Sequence, residues 1–169
     1  MLFEGGIKVP FFITWPNNIK GNQHYNKVIS SLDLFPTFLN AAGANAKKES
    51  QLDGVDLIPY INNTKKDNPH ETLFWRSSGN FEYAVRKGNY KLYKSAYKNR
   101  TLLFNLEKDS LERFDIAKNN PKIVNDLEAT YKKWDSKNIA PKWFDPHAEN
   151  VIKEEKRWEK TRRKSIKSN

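Results

Sequence analysis

Residues 72–106 read TLFWRSSGNFEYAVRKGNYKLYKSAYKNRTLLFNL, and this stretch decides the architecture. Four short runs, TLFWRS, FEYAVRK, YKLYKS and TLLFNL, are rich in aromatic and β-branched residues and alternate with a period of two, which is how half-buried strands read. Gly79-Asn80 and Gly88-Asn89 stand in the gaps between the first three runs. Such pairs supply the positive φ angles of tight turns, so the stretch predicts a four-stranded antiparallel meander, clearest in the hairpin AVRKGNYKLYK.

Downstream, NNPKIVNDLEATYKKW changes the period to that of a helix. Asn120 is placed to cap it and Pro121 to occupy its first position, where a missing N–H costs nothing. Ile123, Val124, Leu127, Tyr131 and Trp134 then form one apolar stripe, which predicts that the helix covers a face of the sheet. Beyond it, Trp143 and Phe144 in the Pro-broken run APKWFDPHAENV are expected to pack back on the body.

Upstream, EGGIKVPFFITWP places a double-glycine turn against an apolar run from Val9 to Trp15. That run predicts a strand buried on both faces, the pattern of an internal strand in a layered α/β sheet. In VISSLDLFPTFLNAAG, Val28–Ser30 reads as a short strand and Asp33 as a helix N-cap. Leu34, Phe35, Phe38, Leu39 and Ala42 follow at helical spacing, with Gly43 at the left-handed stop. A loop and a short apolar helical turn follow in LDGVDLIPYINNT, and the polar KKDNPHE marks a boundary between two parts.

Composition allows a real core, with 37% hydrophobic and 13% aromatic residues in 169. The net charge of +10 is unevenly spread: Asn150–Asn169 holds eight Lys/Arg against three Glu. This tail, with its lone Trp158, reads as a solvated, fraying helix or as an arm for polyanions such as a sulfated glycan or a nucleic acid. With no cysteine, disulfides and thiolate metal sites are excluded. No stretch resembles a membrane span or a signal peptide. Asn62-Asn63-Thr64 and Asn99-Arg100-Thr101 fit the short glycosylation pattern.

No catalytic set emerges from spacing. His24, His70 and His147 are widely separated, and no zinc pattern or Gly-x-Ser-x-Gly elbow occurs. Gly5-Gly6 lacks the third glycine and following helix of a dinucleotide site. In LEKDSLERFD, Glu107, Asp109, Glu112 and Asp115 lie close together, but Lys108 and Arg113 break the alternation a calcium loop needs, so the run reads as a polar loop with locally paired charges.

Set in order, Glu4-Gly5-Gly6-Ile7-Lys8-Val9-Pro10, Trp15-Pro16, Ser31-Leu32-Asp33-Leu34-Phe35-Pro36-Thr37, Ala42-Gly43 and Leu52-Asp53-Gly54-Val55 resemble the later half of the formylglycine-dependent sulfatases. Leu73-Phe74-Trp75-Arg76, Ala84 to Leu92, Leu103-Phe104-Asn105-Leu106, Asp109, Glu112 and Ala117 resemble that family's C-terminal subdomain. The likeness runs from Met1 to about Trp143. Lys8 stands where Arg is usual, Ser110 where Pro is common and Asp115 where Asn is common.

The resemblance implies an α/β chain: the edge of an alkaline-phosphatase-like α/β/α sandwich in residues 1–68, a C-terminal subdomain of four-stranded antiparallel sheet and helix in 69–149, and a basic tail in 150–169. It implies a sulfuric ester hydrolase acting on sulfated small molecules or glycans, with formylglycine and calcium held upstream, in a periplasmic, extracellular or lysosome-like compartment. No Cys/Ser-x-Pro-x-Arg or Asp-Asn-Gly motif occurs in this chain. The sulfate-contacting Lys that commonly lies five residues before the Glu of the Glu-Gly-Gly turn falls ahead of Met1. The expectation is therefore a fragment, inactive alone, whose partner is the missing N-terminal sulfatase segment. Glu4, Gly5 and Gly6 would form the active-site turn, and His70, Trp75 and Arg76 would face substrate. Nucleic acid is not an expected partner. The alternative is a non-catalytic polyanion-binding module or a non-functional remnant.

Overall fold

A computed structural model describes residues 2–44, 51–77, 81–96, 98–140, 142, 150 and 153. The expected turn at Gly79-Asn80, the packing of Trp143 and Phe144, His147 and the basic tail around Trp158 lie outside the described residues. The chain divides into two compact units, Pro10–Glu71 and Met1–Val9 with Thr72–Asn169. Among the described residues no helix is long and apolar enough to cross a membrane.

The second of these units is the predicted meander. Strands β1 (Thr72–Arg76), β2 (Glu82–Lys87), β3 (Tyr90–Ser95) and β4 (Arg100–Asn105) pair antiparallel in sequence order. The β2–β3 loop is the two-residue Gly88-Asn89, closed by the Lys87–Tyr90 pair. Only Gly88 takes a positive φ, +57°, not both residues as the sequence suggests. A positive φ at the first loop residue alone is the type II′ arrangement, which suits the twist of the strands equally well.

Period-two alternation gives the sheet two distinct faces. One carries Phe74, Tyr83, Val85, Leu92 and Leu103, against which the long helix, Pro121–Asp135, lays Ile123, Val124, Leu127, Tyr131 and Trp134, the stripe read from the sequence. Phe74 stacks on Trp134 at 4.7 Å and Tyr83 on Tyr131 at 3.6 Å. Each fully buried side chain here contributes roughly 1.5–3 kcal/mol. Asn120 precedes the helix but does not cap it with its side chain, because its amide turns back to the Ile116 carbonyl at 2.9 Å. The outer edge of β4 is covered: Leu103 N–H donates to Asp115 Oδ1 and Ile116 N–H to the Leu103 carbonyl. This closes an edge that would otherwise be open to another chain.

A single helical turn, α1 (Glu4–Ile7), belongs with the sheet and contains both Gly5 and Gly6.

The unit of residues 10–71 is built around α2 (Leu34–Ala41) and α3 (Ile58–Ile61). A 3-10 turn, Ser31–Asp33, leads into α2; Asp33 stands at the N-cap position of α2, as the sequence indicates, but makes no side-chain cap bond there, and the side-chain capping lies one turn earlier, at Ser30. Ser30 and Asp33 form a reciprocal capping box, in which the carboxylate reaches back to the Ser30 N–H at 2.7 Å. Gly43 ends the helix at φ +68°, as expected.

Two expected strands are absent. Val9–Trp15 and Val28–Ser30 have no ladder partner and form no strand. A strand is stable only when neighbours take up its N–H and C=O groups, and no described segment of this chain does so for either run. Nor is the apolar run buried on both faces, as its pattern predicts: Val9 (73%) and Phe12 (91%) are exposed, as are Phe35 and Phe38 of α2.

Candidate functional site

The sheet face away from the long helix carries a buried charge cluster. Lys91 of β3 is wholly buried, and its ammonium lies 2.8 Å from Glu4 Oε1 and 2.8 Å from Glu112 Oε1. Arg86, its cross-strand neighbour, stands 4.0 Å from the other Glu4 oxygen. The Trp75 ring is 5.8 Å from the same ammonium. Two cations directly opposite on adjacent strands repel, and an ammonium without partners is costly to bury. Two carboxylates balance the two cations.

The acids come from distant parts of the sequence. Glu4 is presented by α1, whose position is fixed further by Phe3 against Tyr93 at 4.6 Å and Phe104 at 6.2 Å. The Glu4 N–H donates to Glu112 Oε2, so both backbone and side chain of this residue are held. Glu112 adopts φ +55°, unusual for a residue with a Cβ. Asp109 supports that conformation: its carbonyl accepts from Glu112 N–H, and its carboxylate from Phe114 and Arg113 N–H at 2.8 and 3.1 Å. These donors, Phe114 first, hold the Asp109 carboxyl below its ordinary pKa. The acidic run therefore pairs locally only in part, since Glu112 reaches the sheet.

In the unit of residues 10–71 a second polar knot forms. Asp33 is wholly buried; besides Ser30 N–H it accepts from Val55 N–H at 2.9 Å and pairs with His70 Nε2 at 2.8 and 2.9 Å. Thr37 donates to the Asp33 carbonyl and accepts from Leu57 N–H. Gly54 is required here, because a Cβ would stand 2.0 Å from the Leu32 carbonyl oxygen. Half-buried Tyr25 lies in the same unit, with its pKa raised by burial first and then by Tyr60, Asp67 and Asp33. A shallow groove of about 380 Å³ runs between Ile13–Trp15 and α2.

Of the residues singled out in the sequence, Glu4 and Trp75 meet around Lys91. Gly5 and Gly6 are exposed on α1. Arg76 points to the opposite sheet face, paired with Asp135 at 2.7 Å and with the Ile139 carbonyl at 3.3 Å. His70 belongs to the other unit, its Nε2 engaged by Asp33. Sequence reading missed Lys91, Arg86 and Glu112 as a group. One signal was available: period-two alternation puts Lys91 on the same face as Tyr93, where a lone Lys needs a counter-charge. Glu4 and Glu112 could not be matched to it without the fold.

Formylglycine and calcium, which the resemblance implies, find no fitting residues among those described. The chain has no Cys and no Ser-x-Pro-x-Arg, and among the described residues no group of three His, Asp or Glu is placed to hold a metal ion. What this chain's residues do is fix a turn and brace a helix start.

Comparison with known proteins places these motifs. The family model described as N-sulphoglucosamine sulphohydrolase, C-terminal, matches residues 1–140. The uncharacterized sulfatase YdeN of Escherichia coli K12 is 26% identical over 175 residues, covering 82% of this chain and 31% of its own length. Arylsulfatase A of Bos taurus is 43% identical over 96 residues, 54% of this chain and 18% of its own. The crystal structure of Ps i-CgsB superposes with a TM-score of 0.66 at 30% identity, over 82% of this chain and 31% of that one, and the same protein has been solved in complex with k-i-k-neocarrahexaose. The fold is thus that of the alkaline-phosphatase-like sulfatases, and this chain spans about a third or less of the length of these relatives. The ordered motifs, the meander with its helix, and a family match over most of its length make this chain a member of the sulfatase family, corresponding to its C-terminal region.

Proposed function

We propose that this chain is the C-terminal portion of a sulfatase that hydrolyses sulfate esters of glycans, and that it acts only when joined to an N-terminal catalytic segment. The observation that carries this reading is Val9–Trp15, an apolar run with the pattern of an internal strand that has no strand partner among the described residues and has Phe12 91% exposed. Its coverage of only 31% of YdeN and of Ps i-CgsB supports the same reading. A glycan substrate is supported by the neocarrahexaose held by Ps i-CgsB.

In the intact enzyme the nucleophile and any metal would lie upstream, and no catalytic step runs through a residue of this chain. Glu4, Gly5 and Gly6 would form a fixed turn at the active site. Within their own units, His70 on the one hand and Trp75 and Arg76 on the other would face substrate. His70 and Arg76 would do so while held by Asp33 and Asp135, as fixed walls rather than as free acid, base or anion ligand. Alanine at Trp75 or Arg76 would therefore raise KM more than it lowers kcat.

The test is sulfate release, measured by ion chromatography, from sulfated oligosaccharides and an aryl sulfate. The product of the whole contiguous reading frame should release sulfate, and residues 1–169 alone should release none. Release by residues 1–169 alone, or none by the whole product carrying formylglycine, would overturn the proposal.

A further inference from the structure

We propose that Lys91 is a positioning residue: it latches the Glu4–Ile7 turn to the sheet and so fixes where residues 2–8 lie against the subdomain. The turn itself is a weak element. It is four residues long and includes two glycines, and its N-cap, Phe3, provides no side-chain cap. Gly5 and Gly6 are exposed, and an isolated turn of this composition is unstable in water. Its definition must come from elsewhere.

Three contacts supply it, all on one sheet face. The Phe3 ring packs on Tyr93 and Phe104. The Glu4 carboxylate reaches the buried Lys91 ammonium, and the Glu4 N–H reaches Glu112. Lys91 is the hub, because it also holds Glu112 at 2.8 Å. Glu112 in turn keeps a positive φ and sits on Asp109. The loop after β4 is thus shaped to complete a receptor for residue 4. The same face could have been closed by apolar side chains, and burying a Lys between two carboxylates is not the most stabilising solution. Charge and geometry together hold one residue in one place, which apolar packing does less strictly.

This inference rests on the proposed function only where it assigns the turn to an active site; the latch itself is a property of this chain. Backbone hydrogen exchange of residues 1–169 at low micromolar concentration tests it. Gly6, Ile7 and Lys8 N–H donate within the turn, to Phe3 and Glu4 carbonyls, and report its integrity. Glu4→Gln leaves the Lys91–Glu112 pair in place and should raise exchange at these amides by tenfold or more, with Val85, Leu92 and Leu103 changing less than threefold. Lys91→Met should do the same more strongly, and the Trp75 emission should shift as the ammonium leaves its ring. Turn exchange within twofold of wild type in both variants would overturn the latch. So would an equal rise across turn and sheet, the mark of a core ion pair without a positioning role.

In the whole enzyme, Glu4→Gln should lower kcat at nearly constant KM, and unchanged kcat would overturn the positioning. A whole product that releases no sulfate would instead sink the proposed function and leave the exchange result to decide the latch.

Discussion

Asp33→Ala removes a carboxylate that is wholly buried and receives the N–H groups of Ser30 and Val55 as well as His70 Nε2. Each part-buried N–H left without an acceptor costs about 1–3 kcal/mol, and the lost capping box adds about 1 kcal/mol. Because these groups share one acceptor, the terms overlap, and a net loss of about 3–5 kcal/mol follows. Asp33→Asn keeps one oxygen and should lose less. His70→Ala removes a single charge-assisted contact and should cost about 1–2 kcal/mol. Urea unfolding followed by pulse-labelled hydrogen exchange of peptides from residues 10–71 resolves this unit from the sheet. The expected order of destabilisation is Asp33→Ala, then Asp33→Asn, then His70→Ala. For a unit of this size each kcal/mol shifts Tm by about 4–8 °C, well within detection. An Asp33→Ala loss under about 1 kcal/mol, or a larger loss for His70→Ala, would refute the assignment of Asp33 as the organising acceptor.

Gly54→Ala should destabilise residues 10–71 by about 2 kcal/mol or more, since its Cβ meets backbone rather than a movable side chain, and the same urea series checks it. Burial, and then the charge of Asp135, push the Tyr131 pKa up to about 12, and burial also raises Tyr83 and Tyr93. The unfolded chain ionises its tyrosines near 10, so their contribution is complete below pH 10 and is lost as pH rises towards 12. Tyrosinate absorbance should therefore appear for these three residues only as the sheet unfolds, and smooth early titration of all tyrosines would contradict this. Phe12→Ser with Phe35→Ser and Phe38→Ser should reduce aggregation of residues 1–169 severalfold by light scattering at no cost in sheet stability, because these side chains are exposed.

The meander and the long helix were legible because their signals are local. Alternation, a Gly-Asn turn and a stripe at i, i+3 and i+4 each specify an element without knowledge of the rest of the chain. Val9–Trp15 failed for the opposite reason: an apolar run specifies burial, but whether it becomes a strand depends on partners that no described segment provides. Asp33 does stand at the N-cap position of α2, but its carboxylate serves the capping box with Ser30 one turn earlier, a reciprocal bond that residue type alone does not reveal. The Lys91 cluster stayed hidden because Glu4 lies 87 residues from Lys91 in the chain. Spacing rules do not extend that far, whereas a recognised order of motifs revealed the family without revealing this cluster.

The central claim, that this chain completes a sulfatase whose catalytic groups lie upstream, is tested most directly by reading the coding DNA immediately ahead of Met1. The account predicts an uninterrupted frame carrying a Lys five residues before Glu4 and, further upstream, a Cys/Ser-x-Pro-x-Arg motif. A stop codon followed by unrelated sequence would contradict it.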